Sequence, residues 1–405
     1  MKYALIGCGR IATNHIKAAL NNNLEIIAVC DVVEEKMEAL LAKHNLESCN
    51  SIKRYVDYKK MLSENEDIKL VSIATESGLH ANIALYCIEK NINVIIEKPM
   101  AMSISDADKI IAAAERYKVK VSACHQNRFN VAVQKMRTAL EQGRFGKISH
   151  GSIHVRWNRD KGYYDQAVWR GTWEQDGGAL MNQCIHGIDL LRWMMGDEIV
   201  EVYGKTKQQF HHYLEAEDLG MAVITFKNGA IGTIEGTTNV YPKNLEETLY
   251  LFGAKGTVKI GGTSTNNIDV WDFADENDAD SENKGLQEAT SNVYGNGHTS
   301  LFADMIEAIN NIDVWDFADE NDADSENKGL QEATSNVYGN GHTSLFADMI
   351  EAIKNDRKPY VDAYAGKNAL ELVLAIYQSA AQGKPVQLPL KNCNTIDFVG
   401  RFENE

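Results

Sequence analysis

Along the first 125 residues, short apolar runs alternate with longer stretches in which Ala, Leu and Ile recur every third or fourth position. Lys2–Ile6, Leu24–Cys30, Leu70–Ala74, Asn93–Ile96 and Val119–Cys124 read as strands. Glu34–His44, His80–Lys90 and Ser105–Tyr117 carry helical spacing. Strands that alternate with helices predict βαβ units and a parallel sheet. Beyond this region the rhythm changes to period two, in Ser149–Trp157, Ala222–Phe226, Ala230–Thr238, Thr248–Phe252 and Thr257–Ile260. Asn228-Gly229 supplies a hairpin turn between two of these strands. Near the end, Gly366–Ala381 is a strongly apolar helix expected to pack inside. The pattern divides the chain into an α/β domain over residues 1–125, an α+β domain over 126–390 and a loose tail over 391–405.

One feature breaks the pattern. Residues 266–309 recur letter for letter at 310–353. Solenoid repeats diverge and acquire capping ends, so an undiverged pair reads as a recent duplication, a cloning event or a sequence error. Each copy carries a net charge of −9, and removing one would leave 361 residues at −7 instead of 405 at −16. A copy comprises an acidic stretch (Asp272–Asn283 in the first), expected as a solvated loop, and a helix (His298–Ile309 in the first). The acidic stretch lacks the glycine and terminal glutamate of a calcium loop. One copy is expected to take the native location, with the other looped out, packed on the surface or exchanged with a neighbour.

The acidic balance argues against nucleic acid or an anionic membrane as the main partner. No apolar stretch is long enough to cross a membrane. The chain opens directly into a strand, so no leader is expected. Seven cysteines without a C-x-x-C pair indicate neither a disulfide framework nor a zinc knuckle. No metal is expected, and a reducing cytoplasm is the simplest location.

Candidate chemistry begins where the first strand ends, in Gly7-Cys8-Gly9-Arg10-Ile11-Ala12, a G-x-G-x-x-A fingerprint. Gly7 permits the tight turn, Gly9 lets a pyrophosphate approach the backbone, and Ala12 allows close packing of the helix that follows. Asp31 ends the second strand, where a carboxylate accepts from both ribose hydroxyls and repels a 2′-phosphate. NAD is therefore favoured over NADP. Thr75 and His80 follow another strand at the carboxyl edge; His80 also suits a bland role as a helix start. With Glu97, Lys98 and Gln126 they complete the candidate cofactor contacts. Lys98, in Glu97-Lys98-Pro99, sits at the same edge, where a positive nicotinamide would help lower its pKa. Downstream, Gly177-Gly178 leads into Asn182, His186 and Asp189, which would share one face of a continuous helix, with Asn182 orienting His186. Histidine accepts and returns a proton near neutrality.

Gly7-x-Gly9-x-x-Ala12, Glu97-Lys98-Pro99 and Gly177-Gly178-x-x-x-Asn182-x-x-x-His186 together resemble the Gfo/Idh/MocA oxidoreductases over essentially the whole chain outside the extra 44 residues. The resemblance implies an N-terminal Rossmann domain and a C-terminal domain with a large open, mainly antiparallel sheet. It also implies catalytic roles for Lys98 and His186, and sheet-to-sheet homodimers or homotetramers. Many members carry aspartate where this chain has Asn182, which puts a strict Asp–His dyad in doubt. The segments Tyr163–Trp173, Met181–Gln183, Tyr241–Glu246 and Val293–His298 are similar to a subgroup of UDP-sugar dehydrogenases. These oxidise UDP-N-acetyl-2-amino-2-deoxyglucuronate at C3 in surface-polysaccharide synthesis. A substrate of that class would engage Tyr163, Asn182, Gln183 and His186, with Arg128, Arg156, Arg159 and Arg170 as candidates for its anionic groups. The alternatives are another sugar or polyol dehydrogenase, acting on UDP-N-acetylglucosamine or inositol, or a cofactor-binding sensor without turnover.

Overall fold

The computed structural model describes residues 1–196, 198–275, 278–286 and 341–403. Its first sheet is parallel, with strands β1 (Lys2–Ile6), β2 (Glu25–Cys30), β3 (Lys53–Tyr55), β4 (Leu70–Ile73), β5 (Asn93–Ile96) and β6 (Val121–Ala123) in the order β3-β2-β1-β4-β5-β6. That is the Rossmann order, and its central strands are apolar on both faces because helices cover both. The helix Ala12–Asn21 follows the glycine turn, and Ile104–Tyr117 is capped by the Ser103 hydroxyl on the Asp106 N–H.

The second sheet has eight strands: β7 (Ile148–Arg156), β8 (Ile199–Lys207), β9 (Leu219–Phe226), β10 (Ile231–Thr237), β11 (Glu246–Gly253), β12 (Gly256–Gly261), β13 (Asn267–Phe273) and β14 (Val386–Gln387). Their order is β13-β12-β11-β7-β10-β9-β8-β14, antiparallel except where β10 runs beside β7. Helices Ile185–Met195 and Ala363–Gln382 cover one face. The other face carries exposed Val200, Tyr203, Met221, Val223 and Ile231.

Three expectations are corrected. The tail is not loose: Asn394 and Asp397 form a capping box, Ile104 N–H donates to the Cys393 carbonyl, and Phe398 and Phe402 pack on buried Trp173. The acidic stretch is not simply solvated, because Asp280 is buried and accepts from Arg144 at 2.7 Å and from the Trp271 indole at 2.7 Å. The repeat does not place one whole copy. Strand β13 comes from the first copy, whereas the helix Gly341–Lys354 comes from the second. The first copy's own helical stretch, His298–Ile309, lies outside the described residues. The helix Gly341–Lys354 packs on Ala12–Asn21, and Ala363–Gln382 touches both β6 and β8. Chain order after residue 340 thus crosses the expected domain boundary and ties the two units together.

Candidate active site

The glycine turn has the geometry the fingerprint requires. Gly7 has φ +93°, and a Cβ there would stand 2.5 Å from the Ala74 backbone. A Cβ on Gly9 would meet nothing within 4 Å, so its surface lies open to an approaching group. Asp31 accepts the Cys8 N–H at 2.8 Å and the Val33 N–H at 2.9 Å, one on each oxygen. A carboxylate oxygen retains a second lone pair, which leaves acceptors for ribose hydroxyls. The open backbone, the helix N-terminus at Ala12 and this carboxylate fit a dinucleotide. Ile11 is the residue just before that helix, and Arg10 points outward. Arg10 touches Gln166 and lies over the Tyr163 ring, linking the cofactor turn to the second domain.

At the neighbouring strand ends, Thr75 is half-buried and His80 is buried. The His80 ring nitrogens meet the Pro99 carbonyl at 2.8 Å and the Thr75 carbonyl at 3.1 Å. His80 therefore clamps the two edge loops together, and both of its nitrogens are engaged. The Lys98–Pro99 bond is cis. Lys98 Nζ donates to the Asn182 carbonyl at 2.8 Å and lies 3.4 Å from its side-chain oxygen. Burial lowers the Lys98 pKa; Glu97 and Asp176 oppose that, while Arg170 and Arg159 add to it.

The expected continuous helix through Asn182 and His186 is broken. Gly178–Asn182 and Ile185–Met195 are separate helices: Gly177 (φ +81°) and Gly178 (φ +89°) turn the chain into the first, and at Gln183-Cys184 the ladder slips, with Cys184 N–H bonding the Ala179 carbonyl five residues back. Asn182 serves Lys98. Its side-chain amide donates to Asp176, whose other oxygen accepts the Gly171 N–H at 2.6 Å. Gln183 donates to the Tyr163 hydroxyl and to the Asn182 side-chain oxygen, each at 2.8 Å. His186 meets Gln126 at 3.3 Å. Burial, then Lys98 and His125, hold the His186 pKa well below its usual range, which favours a neutral imidazole that serves through hydrogen bonds.

Two of the predicted anion contacts are already paired with carboxylates. Arg128 makes a buried two-pronged pair with Asp189, both bonds 2.7 Å, and stacks on Trp193. Arg156 pairs with Glu235 and Glu246 on the sheet. Both arginines are held by carboxylates. Arg170 instead donates to the Tyr163 hydroxyl, and Arg159 to the Asn244 side chain; neither has a carboxylate partner among the described residues. Two residues were missed by sequence reasoning. Asp176, buried against Asn182, supplies the carboxylate that position 182 lacks, and its place directly before Gly177-Gly178 was the available signal. His125 is buried against His186 with ring centroids 5.8 Å apart, and neither of its nitrogens has a partner among the described residues. Its position at the end of β6 matches that of Lys98 at the end of β5.

Residues 1–125 match the oxidoreductase family with an NAD-binding Rossmann fold, and residues 133–259 match the GFO/IDH/MocA C-terminal domain. The WlbA dehydrogenase of Bordetella pertussis, crystallised with NADH and UDP-GlcNAcA, is 31% identical with a TM-score of 0.76, covering 96% of this chain and 99% of that one. This chain belongs to the Gfo/Idh/MocA oxidoreductases. The WlbA dehydrogenase of Chromobacterium violaceum, with the same two ligands, is likewise 31% identical, with a TM-score of 0.77 and 96% of each chain covered. Myo-inositol 2-dehydrogenase of Thermotoga maritima is 26% identical over 263 residues, 64% of this chain and 74% of that protein. The protein is thus an NAD-dependent oxidoreductase of this family. Among the described residues no helix is long and apolar enough to cross a membrane.

Proposed function

We propose that the protein oxidises a UDP-sugar acid of the UDP-N-acetyl-2-amino-2-deoxyglucuronate type at its C3 hydroxyl. The observation that carries this reading is the join of Lys98 to Asn182 and Asp176 beside a neutral, buried His186. That arrangement matches the whole-length similarity to dehydrogenases crystallised with NADH and UDP-GlcNAcA. NAD, when bound, supplies the hydride acceptor. Gly7, Gly9 and Ala12 seat its pyrophosphate, Asp31 its ribose, and Thr75, Glu97 and Gln126 lie along the same edge. Lys98, with its lowered proton affinity, takes the hydroxyl proton while Asn182 and Asp176 hold its side chain in place. His186, whose Nε2 accepts from the Gln126 amide, offers its Nδ1–H as a donor to the sugar. Arg159 and Arg170, with Tyr163 and Gln183, receive the anionic groups of the substrate, since neither arginine is paired with a carboxylate among the described residues.

The exposed apolar row on the second sheet supports a homodimer or homotetramer joined face to face, and seven free cysteines suit a reducing cytoplasm. The test is a panel of UDP-GlcNAcA, UDP-GlcNAc and myo-inositol followed by nicotinamide absorbance, alongside Lys98→Met. Turnover restricted to the UDP-sugar acid, lost in Lys98→Met with NADH binding retained, supports the reading. Turnover of inositol alone, NADH binding without any turnover, or an active Lys98→Met refutes it.

A further inference from the structure

Glu97 is buried, and its two oxygens face different ways. Oε1 meets Nε2 of His15 at 2.9 Å and Nε2 of His342 at 3.0 Å, while Oε2 accepts the Lys98 N–H at 3.1 Å. For two imidazoles to serve one carboxylate oxygen, each must carry its proton on Nε2 and donate it. The two rings meet edge to face, with centroids 5.1 Å apart, and the His15 ring also packs on Phe346. Burial alone would raise the Glu97 pKa, but the bonds from His15 and His342 outweigh it and hold the group well below the usual range. The Cys124 thiol completes the surroundings of this carboxylate, and burial, then Glu97, keep it protonated.

We propose that His15 and His342 are positioning residues for the reaction: by clamping Glu97 they fix the backbone of Lys98 and the placement of its ammonium. The proposal rests on the reading of Lys98 as proton acceptor given above. A second contact points the same way. Gly341 lies so close beneath Gln126 that a Cβ there would stand 2.8 Å from its side chain, and Gln126 in turn meets His186. The start of the helix Gly341–Lys354 therefore buttresses both proton-handling groups. That helix is supplied by the second copy of the repeat, so His342 and not the sequence-identical His298 does this work.

The experiment compares His342→Leu, His342→Gln and His298→Leu with the parent enzyme. It measures NADH affinity, kcat and KM, the titration of Lys98 by [13Cε]lysine NMR (assigned with Lys98→Met), and metal content. The groups facing Lys98 and Glu97 are Asp176, Arg159, Arg170, His15, His342, Cys124, Cys184, His80, His125 and His186. All of them except position 342 are unchanged across the series. His342→Leu should lower kcat by roughly tenfold or more, the scale of one hydrogen bond to a charged group, with NADH affinity unchanged. Lys98 should titrate at lower pH, because a less firmly held Glu97 charge supports its proton less. His342→Gln keeps an N–H near the lost Nε2 and should restore most of both, while His298→Leu should match the parent.

An unaltered kcat and Lys98 titration in His342→Leu would overturn the proposal, as would equal effects of the two leucine variants. The four side chains His15, Glu97, Cys124 and His342 place ligand atoms within 4.8 Å of one another. Stoichiometric zinc or iron in the purified protein would therefore replace the hydrogen-bonded clamp with a metal site. If no sugar is turned over by the parent enzyme, the proposed reaction fails, yet the lysine titration still decides the clamp.

Discussion

Two buried carboxyls tie stability to pH in a direction opposite to ordinary acid denaturation. Glu217 sits beneath the Gly177-Gly178 turn: a Cβ on Gly178 would be 1.8 Å from its Oε2, while its Oε1 accepts from Leu180 N–H at 2.8 Å and Tyr377 O–H at 2.9 Å. Glu247 lies under the helix that carries His186; its Oε2 accepts from the Asn127 amide at 3.5 Å, and its Oε1 has no hydrogen-bond partner among the described residues. Burial pushes each of them up to about 8 from 4.5. Below the unfolded value both states are protonated. As pH rises past it the unfolded chain ionises first, so stability falls until the folded group also ionises near 8. Between pH 5.5 and 7.5 each carboxyl should remove about 2 to 3 kcal/mol, at about 1.4 kcal/mol per pH unit.

His15, His80, His125 and His186 have lowered values and act in the other sense, weakening the fold as pH drops below their unfolded range. Subtracting matched variants removes them. Glu217→Gln and Glu247→Gln keep the shape of the protonated acid but cannot ionise. Urea unfolding at several pH values between 5.5 and 8.5 should therefore show each variant gaining on the parent as pH rises, and the double variant gaining about twice as much. Parallel curves for parent and variants would refute the argument, since two carboxyls that ionise freely in the folded state produce no such divergence.

Gly9→Ala should leave the fold intact and weaken NADH binding measured by fluorescence, whereas Gly7→Ala, driven into the Ala74 backbone, should lower the unfolding midpoint as well. Asp176→Asn removes a carboxylate that raises the Lys98 pKa, so the acid limb of the kcat/KM profile should move to lower pH with NADH affinity unchanged. Deleting residues 287–330 retains every described residue of both repeat copies and should preserve NADH binding and turnover. Shortening the connection between Leu286 and Gly341 from 54 residues to 10 should also raise stability by about 1 to 2 kcal/mol in denaturant titration, by the logarithmic cost of closing a longer chain.

The Rossmann half was legible because its signals are local. Each strand is a short apolar run, and Gly7, Asp31 and Lys98 all stand at strand ends, where topology alone places them on one edge. The second half hid what depends on distant partners. The i, i+4 spacing of Asn182 and His186 assumes an unbroken helix, and nothing local shows that the ladder is interrupted at Gln183 and Cys184 between them. Arg128 and Arg156 looked like anion sites because their carboxylate partners lie far along the chain. Asp176 went unremarked because it works through Asn182.

The division of the repeat has a similar physical origin. Taking both β13 and the helix from the second copy would insert 44 residues into the tight turn before β13. There Asn266 N–H bonds the Gly261 carbonyl at 3.0 Å and Thr265 adopts φ +52°. Taking both from the first copy would insert them before Lys354, inside a helix end whose bonds continue from Asn355 N–H to the Glu351 carbonyl and from Arg357 N–H to the Ala352 carbonyl. Only a strand from one copy and a helix from the other leaves both junctions intact and confines the added length to a connection that exists in any case. The imidazole that reaches Glu97 is accordingly the one on the far side of the insertion.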